Sequence, residues 1–325
     1  MKTMRPGALG LALLCALLGL AAPAQAQSVS CSQASMPDLI FGNVDLVNGT
    51  GMSATTNLTY KCTASGNSGK TVNVCFNIGD PYGNFADRRL KNGANELKFQ
   101  MYQDGAATTV WGTVWGGASL PPVVISIPGN NTQSGTIALT ASIGAGQTTP
   151  PPGTYLADYT GNGTLINYAV GSCTAGSPSV NSNAAFPFKV SATVVKACKA
   201  SAVSTIDLGN ALASATNIDA NGDISITCSN TTPYYVGLQP SNGNTAGAGI
   251  MSASGGNTDK VPYQLYSSPA PGTIWGNTAT AAGAGNGIAG MGNGTAKSHT
   301  VYVRAPSADY RPDSYSDTVT VVVNY

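Results

Sequence analysis

The side chains able to do chemistry in this chain are few and poorly arranged for it. His299 is the single histidine, set in Lys297-Ser-His-Thr-Val-Tyr-Val303, where the alternation predicts a strand-edge side chain. No serine–histidine or cysteine–histidine arrangement is apparent, and there is no histidine cluster to hold a metal. Gly66-Asn-Ser-Gly-Lys70-Thr71 has the look of a phosphate loop, but Ala64 stands where its first glycine belongs. The segment also leads into Val72-Asn-Val-Cys-Phe76, a strand pattern instead of a helix, so a hairpin turn is expected. Asp158, Asp309, Asp313 and Asp317 lie near strand or turn boundaries. Asp158 and Asp317 fall at comparable places in a repeat described below, which favours structural hydrogen bonds over a general acid. Carboxylates alone can hydrolyse glycosides, yet nothing here recommends an enzyme. No catalytic, cofactor or metal residue is expected.

The cysteines point to a compartment instead. Lys2 and Arg5, the apolar run Leu11 to Leu20 and the small-x-small Ala24-Gln25-Ala26 read as an export signal over 1–26. The apolar run is short for a membrane span. Cys15 departs with the signal, leaving six of seven cysteines, and an even number in an exported chain reads as disulfides instead of zinc ligands. Without Lys2 and Arg5, 13 of the 15 Lys and Arg remain against 14 Asp and Glu, a formal net charge of −1. Nucleic acid and anionic membrane surfaces are therefore not expected partners.

The elements that must position these residues are repeated. Lys98-Phe99-Gln100-Met101-Tyr102 is followed nine residues later by Trp111-Gly112, and Pro262-Tyr263-Gln264-Leu265-Tyr266 at the same distance by Trp275-Gly276. Cys31 and Cys62 are 31 apart, Cys198 and Cys228 are 30 apart. Tyr155 to Tyr168 and Tyr315 to Tyr325 close the two copies loosely alike. Six cysteines allow many pairings, and the repeat alone selects Cys31–Cys62 and Cys198–Cys228, leaving Cys75–Cys173 as an extra bridge in the first copy. Alternating runs such as Ile224-Ser-Ile-Thr-Cys228 suit half-buried strands, and Gly- and Asn-rich stretches between them suit turns. No amphipathic helix of ten or more residues is evident. The fold class expected is all-β, two tandem immunoglobulin-like β-sandwiches.

Between the copies, Phe186, Phe188, Val190, Ala192 and Val194 alternate for nine residues on one face. Such a strand would fill a hydrophobic groove and close the first sandwich as its own last strand. The expected boundaries are 27–195 for the first domain and 196–325 for the second. Only three residues separate Val194 from Cys198, so a short joint is expected. Copy two stops at Tyr325 with no equivalent closing strand, which leaves an expected open groove and an unpaired edge. A strand from another chain would cover it. Gln27, Ser28, Val29 and Ser30 alone precede Cys31 after cleavage, too few for a donor strand. The chain is expected to accept a strand and have none to give.

These features resemble the spore coat U family, the pilin-like domains of archaic chaperone–usher pili. The matching residues are the Cys198–Cys228 spacing, Asp207-Leu-Gly209, Tyr263-Gln-Leu-Tyr266, Trp275-Gly276 and Tyr315 to Tyr325. The likeness is strong over 198–325 and weaker over 31–168. In that family, single-domain subunits carry a donor segment before the first cysteine that looks like Phe188 to Cys198. The resemblance implies a periplasmic pilus chaperone, an outer-membrane usher and an adjacent pilin subunit donating a strand to domain two. It also implies a tip adhesin at the cell surface, engaged in attachment and biofilm formation.

A binding surface is sought in what the first copy has and the second lacks. Trp115 has no partner in copy two and sits in Val110 to Val124, an apolar loop expected to be more extended than its equivalent. Trp115, Leu120, Val123 and Val124 on a proline-stiffened loop would bind an abiotic or host surface by burying apolar area, worth about 25 cal/mol per Å². Asp80 to Phe85, with Tyr82 and Phe85, and Thr148 to Gly153 are further candidates. A sugar-binding groove from Tyr82, Phe85 and Asp87 would suit a carbohydrate-binding secreted module. A core role for Trp115, Leu120 and Val123 would leave a non-adhesive coat or minor pilus subunit.

Overall fold

The computed structural model describes residues 28–31, 33–66, 70–114, 122–161, 163–173, 180–183, 186–203 and 205–325, with backbone alone at 180–183. The signal segment 1–26, Trp115 and Leu120 lie outside the described residues. The chain is all-β, and its strands sort into two hydrophobic cores.

The first core lies between three sheets. One orders β1 (Ser28–Ser30), β3 (Gly51–Ser65), β9 (Asn131–Gly144) and β7 (Gln100–Tyr102). The second orders β2 (Leu39–Val44), β13 (Lys189–Val194), β10 (Gly153–Asp158), β5 (Arg89–Asn92) and β6 (Asn95–Lys98). The third orders β12 (Val180–Asn183), β11 (Thr164–Val170), β4 (Thr71–Ile78) and β8 (Val123–Pro128). The period of two does the sorting. Along β3, Leu58, Tyr60, Cys62 and Ala64 are buried while the residues between them face water.

The second core lies between two sheets. The larger orders β14 (Cys198–Ala202), β15 (Thr216–Cys228), β20 (Ala296–Ser307), β18 (Lys260–Tyr266), β17 (Ala248–Ala253) and β21 (Tyr315–Ser316). The smaller orders β19 (Ile288–Met291), β16 (Pro233–Pro240) and β22 (Val319–Asn324). Disulfides join Cys31–Cys62 and Cys198–Cys228, each with Cα atoms 4.1 Å apart, and Cys75–Cys173 at 5.8 Å.

The two halves meet at a short hydrogen-bonded joint. The Ala197 amide donates to Ser229 Oγ at 3.0 Å, and Ser229 Oγ donates to the Val195 carbonyl at 3.3 Å. Asn230 Nδ2 donates to the Thr149 carbonyl at 2.6 Å. The loop Thr148 to Gly153, a candidate for surface binding from its sequence, thus contacts the second half at Thr149.

Candidate functional site: the edge between the first and last strands

The two halves share a set of matching hydrogen bonds. Trp111 Nε1 donates to the Phe76 carbonyl at 3.0 Å, and Trp275 Nε1 to the Val236 carbonyl at 2.9 Å. The Ile78 amide meets the Gly112 carbonyl, and the Leu238 amide meets that of Gly276. Tyr155 Oη donates to the carbonyl four residues back, Pro151, at 2.8 Å, and Tyr315 Oη to Arg311 at 2.7 Å. Gly42 and Gly209 both adopt positive φ, 76° and 73°. Those anchors fix which residue of one half stands for which of the other.

They also isolate one difference. In the first half, β13 lies between β2 and β10, antiparallel to β10 through Gly153↔Val194 to Asp158↔Lys189 and parallel to β2. Phe186, Phe188, Val190, Ala192 and Val194 are all at most 2% exposed. Phe188 stacks on Tyr159 at 4.6 Å, and Phe186 packs edge-on to Phe76 at 6.1 Å. Burying the four large side chains at about 1.5–3 kcal/mol each makes β13 a main support of that core.

In the second half, β21 pairs only with β17 and β22 only with β16. Residues 205–212, the counterpart of β2, form no strand. Among the described residues nothing lies in the β13 position. The side chains that β13 covers in the first half are less covered here. Leu39 and Phe41 are buried, their counterparts Ile206 and Leu208 half-buried. The same holds for Leu90 against Met251, Thr164 against Val321, and Ile166 against Val323. A strip of the second core is thus open along an unpaired strand edge.

The first half also carries two buried polar side chains of its own. Asn77 stands where the second half has Gly237, and Arg88 where it has Gly249. Both side chains are fully buried. Arg88 donates to the carbonyls of Gly79 (3.1 Å), Ile78 and Trp111 (2.8 Å) and to Gln100 Oε1. Burial pulls the Arg88 pKa down, opposed by Tyr159 and Asp80. Asp80 is pushed up by its own burial, and Tyr159 well up by the same cause. Asn77 Oδ1 accepts from the Val114 amide at 2.8 Å, and its Nδ2 donates to Asn167 Oδ1 at 2.5 Å. The backbone at 111–114 is therefore held from two sides by buried polar groups. In the second half the equivalent stretch is fastened by Asn277 and Asn286, through Gln239 Oε1 (3.0 Å) and the Thr245 carbonyl (2.8 Å).

The surface candidates scatter. Val123 opens β8, half-buried against the core, and Val124 is 43% exposed. Tyr82 is also 43% exposed, its hydroxyl donating to the Leu156 carbonyl at 3.1 Å and its ring beneath Lys91 Nζ at 4.3 Å. Phe85 is half-buried. Asp87 is committed to Arg89 at 2.6 Å and Lys98 at 3.4 Å, so it is already paired instead of being presented to a sugar. Two expectations need correction. Val123 and Ile288 pair with Phe76 and Val236, so the stretch after Trp111 is 12 residues and that after Trp275 is 13. The first loop is more apolar, not more extended. Asp158 and Asp317 are not equivalents: counted from Tyr155 and Tyr315 they differ by one residue and face opposite sides. Asp158 points outward to Lys189 and Thr160, while Asp317 accepts from buried Tyr263 at 2.6 Å. His299 pairs in register with Ile224 inside β20, its Nε2 2.9 Å from Tyr234 Oη. Among the described residues no group of three or more His, Cys, Asp or Glu could hold a metal.

The Spore Coat Protein U domain matches residues 18–159 and again 184–322. The chain belongs to that family and carries two copies of its domain. No curated protein matches it in sequence. Among solved structures it is similar to the CsuC–CsuE chaperone–tip adhesion subunit pre-assembly complex from archaic chaperone-usher Csu pili of Acinetobacter baumannii. That likeness is 15% identical and covers 91% of this chain and 100% of that one, with a TM-score of 0.48. The CupB6 tip adhesin of Pseudomonas aeruginosa is similar at 10% identity over 91% of this chain and 93% of that one, TM-score 0.30.

Proposed function

We propose that this protein is the tip adhesin subunit of an archaic chaperone–usher pilus. It is exported by the signal 1–26, built as an adhesin-type sandwich over 27–195 and a pilin-type sandwich over 196–325. The second sandwich receives a strand, first from a periplasmic pilus chaperone and then, at an outer-membrane usher, from the adjacent pilin subunit. The observation that carries this reading is the contrast along one edge. A β13 strand closes the first sandwich, while the corresponding edge of β21 is unpaired among the described residues over a half-buried apolar strip. An apolar edge of that kind is an aggregation hazard that strand addition removes. Family membership supports the same reading, and three disulfides suit an oxidising compartment outside the cytoplasm.

The first sandwich would hold an abiotic or host surface through the apolar stretch around Trp115, Leu120, Val123 and Val124, with biofilm formation as the outcome. Val124 supports this by its exposure, and the anchoring of 111–114 by Arg88 and Asn77 supports a preorganised base. Replacing Trp115 and Leu120 by serine is the test. Attachment should collapse while secretion and pilus assembly persist. Unchanged attachment would leave a structural coat or minor pilus subunit.

A further inference from the structure

The register of β13 in the first half gives a template for whatever strand enters the second, and one residue of the template does not fit. Ala157 faces Val190 and Tyr155 faces Ala192, all pointing into the core. Tyr315 is the counterpart of Tyr155, so the place of Ala157 falls on Asp317. The inward direction of Asp317 follows from its partner. Tyr263 is 5% exposed, a core residue, and its hydroxyl donates to Asp317 Oδ2 at 2.6 Å. A carboxylate thus takes an inward place in a run whose next alternate residues, Val319 and Val321, pack against the second core. Burial raises its pKa, but hydrogen bonds from Ser241, Tyr263 and the Thr318 amide outweigh that and leave it below the ordinary range, so it is ionised at neutral pH.

We infer that Asp317 selects the strand that completes the second sandwich, favouring one with a hydroxyl or amide side chain at the place Val190 holds in β13. The inference rests on the strand-addition reading above. Asp317 is half-buried and keeps contact with water while the edge is open. A strand laying valine over it would strip that water and return no hydrogen bond, which is costly for a carboxylate. A serine, threonine or asparagine at the same place would replace the water. The β13 sequence of this chain carries Val190 there, so a second copy's β13 is a poor occupant. The groove would then discriminate a neighbouring subunit from the chain itself through one unfavourable contact as well as favourable ones.

The test uses residues 27–325, released from a periplasmic pilus chaperone, with two synthetic peptides: residues 186–196, and the same with Val190→Ser. The serine peptide should bind the wild-type chain at least about tenfold more tightly. That preference should fall to within about twofold in Asp317→Ala and shrink in Asp317→Asn, which keeps the shape and the Tyr263 hydrogen bond should the alanine variant fail to fold. Equal binding of both peptides to wild type, or a preference that survives both substitutions, would overturn the selection by Asp317 and leave strand addition standing. No binding of either peptide to any of the proteins would overturn the strand-addition reading and this inference together.

Discussion

Tyr155 and Tyr315 make the same hydrogen bond, each hydroxyl to the carbonyl four residues earlier, at 2.8 and 2.7 Å. Yet Tyr155 is wholly buried and Tyr315 half-exposed. The difference is β13, which lies over Tyr155 through Ala192 and has no counterpart over Tyr315 among the described residues.

The first prediction concerns β13 itself. Phe188→Ala removes a fully buried ring stacked on Tyr159 and should cost the first sandwich about 3–5 kcal/mol. Ser191→Ala, on the outward face of the same strand, should change stability by no more than about 0.5 kcal/mol. Urea unfolding of the two variants beside the wild type measures both, and similar losses would mean that β13 is not inserted as described.

Arg88 offers the sharpest polar test. Arg88→Met fits the volume but takes the guanidinium donor from three backbone carbonyls inside the core, while Gln100 Oε1 keeps only its bond from the Met101 amide. A loss of about 3 kcal/mol or more is expected from the unmet acceptors, despite removal of a buried charge. The unfolding transition of the first sandwich, resolved from that of the second by calorimetry, reads it.

The extra disulfide should stabilise through the denatured state. Cys75 and Cys173 are 98 residues apart, so the bridge closes a long loop. The double variant Cys75→Ala, Cys173→Ala should lose about 2–5 kcal/mol in the first sandwich and nothing in the second. Separate unfolding transitions resolved by calorimetry would show which half moves.

His299 sets one component of the pH dependence. Burial first, and the charge of Lys297 second, hold its pKa below 6.5 in the folded state. Stability is therefore complete above that value and declines as pH falls through it toward the lower folded pKa, since the unfolded chain binds the proton more readily. Carboxylates such as Asp259, held at about 2 by Arg311, lose their contributions only at much lower pH. Melting temperatures of wild type and His299→Gln should converge between pH 7.5 and 5 if the wild type is the more stable at pH 7.5. A gap unchanged with pH would contradict the assigned shift.

The fold class and the doubled domain were legible because they live in spacing. Trp111 and Trp275 lie nine residues after Tyr102 and Tyr266, and that distance survives as the shared bond of each indole to a neighbouring strand. Alternation is read from sequence because burial in a strand has a period of two. Arg88 and Asn77 were missed for the converse reason. Polar residues do not announce that they are buried, and the signal that could have found them was their alignment with Gly249 and Gly237. Asp158 and Asp317 look alike in sequence, but a shift of one residue reverses the side of the sheet, and only the hydrogen bond from Tyr315 sets that count. Trp115 and Leu120 stay an expectation of the sequence, outside the described residues.

The most direct test of the central claim is hydrogen exchange at the free-edge amides of Asp313–Thr318, the counterpart of the β10 run that β13 pairs, in the full chain, before and after adding a strand peptide. The account predicts that free-edge amides within Asp313–Thr318 exchange readily alone and become protected with peptide, while the protection of β10, and of the β22 amides bonded to β16, does not change. Free-edge amides there already as protected as those of β10, and indifferent to peptide or chaperone, would contradict an open edge and with it the proposed place of this protein in a pilus.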